Sequence, residues 1–226
     1  TADLSPRAEY PPVMNVIGTV GLPGSGKGEA ANVAEAAGIP VVVMGDVIRA
    51  ECRRRGLDPA QHHGRMAGTL REEEGDDAIA ARTLPRIREA AAESDRDETV
   101  LVDGLRSTVE LERFREAFGD DFTLVAIRAP FELRAERLGE RGRDDSDADM
   151  AALRERDERE VELGLGETLE LADVEIDNTD SLAAFRERVR EVLGVDEAAA
   201  PDRSDGEAAE TAAADAEAPE AGGDGA

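Results

Sequence analysis

An α/β fold, with a parallel sheet covered by helices on both faces, is predicted by two features of the chain. Five short, near-continuous apolar runs alternate with stretches of helical spacing. Strands that are apolar along their whole length belong to sheets buried on both sides. A glycine-rich loop directly follows the first run and opens the first helix, in the order strand, loop, helix.

Residues 15–20 (NVIGTV) read as the first strand, and residues 26–37 follow with helical spacing. Residues 40–44 (PVVVM) form a short buried second strand. Residues 46–55 and 76–92 read as helices, with another between them. The third strand is 99–103 (TVLVD), followed by a helix at 111–118 and a fourth strand at 122–128. Two helices rich in arginine and glutamate, 131–138 and 147–163, precede a fifth strand at 172–177. A last helix covers 181–193, where Ser181 after Asp180 is a good start signal. No repeat of fixed period is present.

These elements place one domain at 14–195. Residues 1–13 hold Pro6, Pro11 and Pro12 and no periodic pattern, so they read as a flexible extension. Residues 196–226 carry ten acids against one base, Arg203. Such a segment buries too little apolar surface to offset chain entropy and reads as a disordered acidic tail.

Of the 226 residues, 53 are acidic and 27 are Lys or Arg, giving a net charge of −26. A surface this acidic repels nucleic-acid phosphates and anionic lipid, which argues against either as a partner. Six aromatic residues leave few platforms for stacking bases. No apolar run approaches the ~18 residues of a membrane span, and no secretory signal is visible. One cysteine, Cys52, allows no internal disulfide and fits a reducing cytoplasm. Lysine occurs once, at Lys27. High acid with almost no lysine resembles the composition of proteins from extreme halophiles, whose carboxylates stay hydrated in concentrated salt. Codon bias toward Ala, Arg, Asp and Glu is a second account, and the two are compatible.

The glycine-rich loop comprises Gly21, Leu22, Pro23, Gly24, Ser25, Gly26, Lys27 and Gly28. Glycines let the backbone wrap with its N–H groups inward, and the helix start adds a positive dipole end. Such a loop cradles a triphosphate tail, with Lys27 reaching the β- and γ-phosphates. A compact ammonium fits inside the loop where a planar guanidinium does not, which accounts for the single lysine. The general pattern places Ser or Thr after the lysine, whereas Gly28 stands here and Glu29 follows. The form resembles the adenylate-kinase branch of P-loop proteins, in which Mg²⁺ is held largely through water. Glu29 has three readings: repelling the phosphates, helping to hold hydrated Mg²⁺, or facing solvent.

Met44-Gly45-Asp46-Val47-Ile48-Arg49 resembles a run in nucleoside monophosphate kinases, with Met44 in place of threonine. The resemblance implies that Asp46 and Arg49 face the cleft and that Arg49 binds the acceptor's phosphate. Asp103 ends an apolar strand beside the loop strand, where an acid is expected to hold Mg²⁺, here through water. Arg106 follows one residue sooner than in those kinases and is expected to meet the acceptor phosphate.

Arg134, Arg137, Arg141 and Arg143, then Asp144 and Asp145, resemble the lid segment of nucleotide kinases, with Leu153-Arg154-Glu155-Arg156 farther on. A lid brings arginines onto the transferring phosphoryl group and excludes water. Arg137, Arg141 and Arg143 are assigned that catalytic role, with hinge freedom at Gly139 and Gly142. Arg159 reads as a salt-bridged surface residue. His62 and His63 read as a surface turn, with the acceptor pocket as the alternative. The five acids within 71–77 read as solvated surface.

Over 14–193 the chain resembles an archaeal, haloarchaeal-type family of nucleotide-kinase-like P-loop ATP-binding proteins, related more distantly to adenylate kinase and dephospho-coenzyme A kinase. The resemblance rests on the motifs above and on Asp177-Asn178-Thr179-Asp180-Ser181-Leu182. It implies a P-loop NTPase α/β/α sandwich with a five-stranded parallel sheet, a lid and an acceptor-binding helical insert. It also implies ATP and Mg²⁺ as ligands, and it names no acceptor. The expected activity is phosphoryl transfer from ATP to a small phosphorylated acceptor such as a nucleoside monophosphate. The alternative is a non-catalytic ATP-binding switch that signals to a protein partner.

Overall fold

The computed structural model describes residues 15–94, 99–141 and 150–195. The expectations for 1–13 and 196–226 lie outside them, as do Gly142, Arg143, Asp144 and Asp145. Helix α6 (Phe131–Arg141) ends at Arg141, whose side chain also lies outside the described set.

The five apolar runs form five strands: β1 (Asn15–Val20), β2 (Val41–Val43), β3 (Thr99–Leu105), β4 (Phe122–Arg128) and β5 (Val174–Asp177). All pairings are parallel, in the order β2–β3–β1–β4–β5. The sheet is three-layered as predicted, because alternate residues of each strand feed a separate core. Val16 and Val20 join one cluster with residues of α2 (Met44–Arg54), α3 (Pro59–Glu74), α4 (Ala78–Glu93), α5 (Thr108–Phe118) and α8 (Leu165–Glu170). Ile17 points the other way, into a cluster with α1 (Lys27–Ala36) and α9 (Leu182–Leu193). Gly18 sits where any Cβ would meet the Phe122 ring at 2.7 Å, so β1 passes Phe122 without a side chain.

The order of strands positions the site. β1 lies between β3 and β4, so the chain leaves its C-terminal end where the connections diverge to either side. Crevices at such switch points are the usual ligand sites of open α/β sheets.

Several boundaries differ from the sequence reading. Met44 opens α2 rather than ending β2, so the run from Met44 to Arg49 occupies a helix's first turns. β3 continues to Leu105 because Gly104, at φ +105°, bulges and lets Leu105 pair with Val20. His62 and His63 lie on α3 and not in a turn; Asp58 caps that helix by accepting from Ala60 N–H at 3.0 Å, with Pro59 first inside it. The helix expected over 147–163 is described as α7 (Met150–Glu162). Gly164, at φ +100°, then separates it from α8, which periodicity over six residues does not reveal.

The acids at 71–77 lie at the surface as expected, and two of them, Glu73 and Glu74, pair with arginines that reach a buried acid. Glu51 on α2 is 2% exposed and accepts from Arg54, Arg55 and Arg82. Arg55 also binds Glu73, and Arg82 binds Glu74. Hydrogen bonds from Arg54 first, and from Arg55 and Arg82, hold the Glu51 carboxyl far below its usual range despite its burial. The network ties α2, α3 and α4 together. Among the described residues, no helix is long and apolar enough to cross a membrane.

Candidate active site

The loop from Gly21 to Gly28 takes its shape from glycine. Gly24 and Gly26 have φ of +80° and +118°, a region other residues rarely adopt. A Cβ on Gly21 would meet Ile127 O at 2.6 Å, one on Gly24 would meet Arg134 O at 2.8 Å, and one on Gly26 would strike Asn178 Nδ2. Gly26 is also the N-cap of α1 and supplies no side-chain acceptor, so the helix start keeps its N–H groups for a ligand.

Lys27 Nζ lies across this loop, donating to Gly21 O at 2.6 Å and Leu22 O at 3.3 Å. Burial lowers its pKa to about 8; Asp103 opposes the shift and Arg106 adds to it. Folding thus disfavours the ammonium, and the unfolded chain binds more protons between pH 8 and the ordinary 10.5. Lys27 therefore makes the empty protein more stable as pH rises through that window. Anion binding has the opposite dependence, since it uses the protonated form. Nucleotide affinity is expected to fall by up to about tenfold per pH unit above 8, measurable by calorimetry from pH 7 to 9.5.

Asp103 stands beside the loop on β3, and its Oδ1 accepts from the Thr19 hydroxyl at 2.8 Å. The Glu29 side chain is held by α1 and α9. Its carboxylate accepts from Arg186 Nε on α9 at 2.7 Å and from Asn32 at 3.3 Å. The side chain, placed by the sequence in the nucleotide-binding set, joins α1 to α9 and does not line the cavity that holds Lys27 and Asp103. Glu29→Gln is expected to change nucleotide affinity less than twofold by calorimetry, with a stability loss of about 0.5 kcal/mol, as for an exposed pair.

One cavity of about 450 Å³ extends from the loop over the C-terminal ends of β2 and β3. It brings together Lys27, Asp103, Arg49, Arg106, Arg156 and Glu160. Arg49 Nε donates to Asp46 Oδ1 at 2.8 Å, so Asp46 holds the arginine and does not itself line the cavity. Arg106 pairs with Glu160 of α7. Its backbone N–H donates to Glu110 Oε2 at 2.9 Å, and Glu110 also binds Arg71 at 3.2 Å. His63 enters the same cavity from α3.

The arginine helix serves the loop in a way the sequence reading did not foresee. Arg134 is 3% exposed and donates to Pro23 O at 2.9 Å and Ala129 O at 3.1 Å. It also makes a two-point bond to Asp157 of α7, at 2.6 and 3.1 Å. Arg137, assigned to the transferring phosphoryl group, instead donates to Asn178 O at 3.0 Å and Oδ1 at 3.2 Å. Asn178 in turn donates to Ser25 O at 2.7 Å. Arg134 thus holds the loop directly, and Arg137 holds it through Asn178. The arginine that α7 brings into the cavity is Arg156. Arg156 belongs to the run that resembled a lid, but nothing local distinguishes it from Arg154, whose guanidinium lies 4.5 Å over the Phe131 ring. Glu160 and Asp157 carried no sequence signal.

Comparison with known proteins accords with this geometry. The AAA domain family matches residues 20–154. A UPF0200 protein of Halobacterium salinarum is 58% identical over 183 residues, covering 81% of this chain and 94% of the relative. The acid-rich, lysine-poor composition fits a relative from that halophile. A UPF0200 protein of Methanosarcina mazei is 46% identical over 182 residues, covering 80% and 95%. The crystal structure of TT1252 from Thermus thermophilus shares the fold, with a TM-score of 0.58 at 16% identity, over 80% of this chain and 96% of that one. The chain belongs to the AAA domain and UPF0200 families, and its fold is that of a P-loop NTPase.

Proposed function

We propose that the protein is a Mg²⁺-ATP-dependent phosphotransferase acting on a small phosphorylated acceptor, with nucleoside monophosphates the first acceptors to test. The supporting observation is the single cavity that joins Lys27 and Asp103 to Arg49, Arg106 and Arg156. A donor site and an anion-binding acceptor site thus share one space, in a chain whose surface is otherwise strongly acidic.

The residues suit a nucleotide's phosphates. Ser25 Oγ is buried without a hydrogen-bond partner, inside a backbone cradle that glycines keep open. Lys27 would move from its loop carbonyls onto the β- and γ-phosphates. Asp103, oriented by Thr19, would hold Mg²⁺ through water. The metal, when bound, neutralises charge between the phosphates. Arg49 and Arg106 would bind the acceptor's phosphate, and Arg156 would face the transferring group. Arg141 and Arg143 remain lid arginines on the strength of the sequence alone. Little covalent chemistry falls to the protein, because positioning and charge lower most of the barrier.

ADP formation in concentrated KCl, across nucleoside monophosphates and dephospho-coenzyme A, tests the reading. Acceptor-dependent turnover is the expected result. A second reading, a nucleotide-binding switch without transfer, draws on the engagement of Arg134 and Arg137 by Asp157 and Asn178. It predicts tight nucleotide binding with no acceptor-dependent ADP in the same assay.

A further inference from the structure

We propose that His63 binds the acceptor's phosphate, completing with Arg49 and Arg106 a three-sided anion site over the first turn of α2. The inference rests on the proposed function and adds a residue to it.

The geometry converges on Gly45. A Cβ there would stand 3.1 Å from Arg49 Nη1 and 3.3 Å from His63 Nε2, so both groups lean over a position that has no side chain. Nε2 of His63 is buried and bonds no side chain; the backbone of Gly45 is the group that lies within reach of the ring. Gly45, Arg49, His63 and Arg106 all line the one cavity that also holds Lys27. A buried ring nitrogen whose backbone contact falls short of good geometry costs free energy that a ligand would recover.

The surroundings decide its charge. Burial, then Arg106 and Arg49, lower the His63 pKa from its usual value against the backbone of Gly45, which opposes the shift, so the empty site favours the neutral ring. Those arginines are paired with Glu160 and Asp46, and the neighbouring Arg71 with Glu110. Those three carboxylates are engaged, Asp103 accepts from Thr19, and Asp76 also lines the cavity; no hydrogen bond joins any of them to the histidine among the described residues. A phosphate dianion entering between the two arginines reverses the local field, and the ring takes up a proton. Acceptor binding thereby weakens as pH rises, and it favours a dianionic phosphate over a carboxylate or a neutral hydroxyl compound.

Histidine NMR on the full chain tests this, because the protein has two histidines. His62 is the internal control; its Nδ1 lies 3.0 Å from Asp58 O on the outer side of α3. Saturating inorganic phosphate, and separately adenosine monophosphate, should raise the His63 pKa by about 1 unit or more and leave His62 within a few tenths. His63→Ala should raise the acceptor KM about tenfold while the KM for ATP and kcat stay within twofold, and His63→Gln should recover part of the loss. A His63 resonance that neither probe shifts overturns the inference. Acceptor-dependent ADP formation with an unmoved His63 removes this residue and leaves the phosphotransferase standing. Absence of turnover removes the phosphotransferase, and the response to inorganic phosphate then decides His63 by itself.

Discussion

Lys27→Ala is expected to lower kcat for phosphoryl transfer by roughly 10³-fold or more, the scale seen when a charge-stabilising group is removed from a preorganised site. The chain has no other lysine to substitute for it. The ammonium sits among loop carbonyls with its pKa lowered to about 8, so the empty protein gains nothing from holding the charge there. The variant should therefore keep the melting temperature of the empty protein within a few degrees. It should lose most of the upward shift that an ATP analogue produces, because stabilisation by a ligand follows its affinity. Loss of the shift with an intact melting temperature separates a binding defect from a folding defect. A full ATP-induced shift in Lys27→Ala contradicts the phosphate-loop assignment.

Arg134→Ala is expected to have the largest structural effect. The guanidinium is 3% exposed and Asp157 is largely covered, so truncation leaves a carboxylate buried beside a void. Breaking a buried pair from one side costs about 3–5 kcal/mol, which lowers Tm by roughly 10 °C in a domain of this size. Two loop carbonyls, Pro23 O and Ala129 O, lose their donor as well. Replacing both members with apolar residues (Arg134→Met with Asp157→Leu) separates the two roles. Well-packed apolar pairs often match a buried ion pair in stability. The double variant should recover most of the Tm, yet bind nucleotide about tenfold more weakly, because Pro23 O then lacks the Arg134 donor. Wild-type nucleotide affinity in the double variant would confine Arg134 to stability.

What the sequence conveyed depended on distance along the chain. The five strands were legible because sheets buried on both faces demand unbroken apolar runs. The loop was legible because four glycines and a lysine occur within eight residues before a helix. The partners that tune the site lie far away in sequence. Glu160 is 54 residues from Arg106, Pro23 is 111 from Arg134, and Ser25 is 153 from Asn178. No local pattern encodes such pairs. Glu29 illustrates the same point. Its three readings were equivalent until folding brought Arg186 against it from 157 residues away. His63 was misplaced for a local reason: two adjacent histidines carry no helical signal, while Asp58 and Pro59 just before them start a helix that ends only at Glu74.

The charge of −26 takes on a spatial meaning in this fold. Carboxylates cover the outside, engage arginines around α2 to α4, and leave one cavity where lysine, histidine and arginines converge. On the proposed function, two anionic substrates would lie side by side in that cavity despite the acidic surface.

The most direct test of the central claim follows phosphorus itself. Full-length protein, ATP and Mg²⁺ in concentrated KCl are mixed with each nucleoside monophosphate in turn and observed by ³¹P NMR. The account predicts that with at least one acceptor the γ-phosphate signal of ATP is replaced by matched signals of ADP and of a newly phosphorylated acceptor, and that Lys27→Ala abolishes the change. ATP that stays intact with every acceptor, in a protein shown by calorimetry to bind it, would contradict phosphoryl transfer and leave a nucleotide-binding switch.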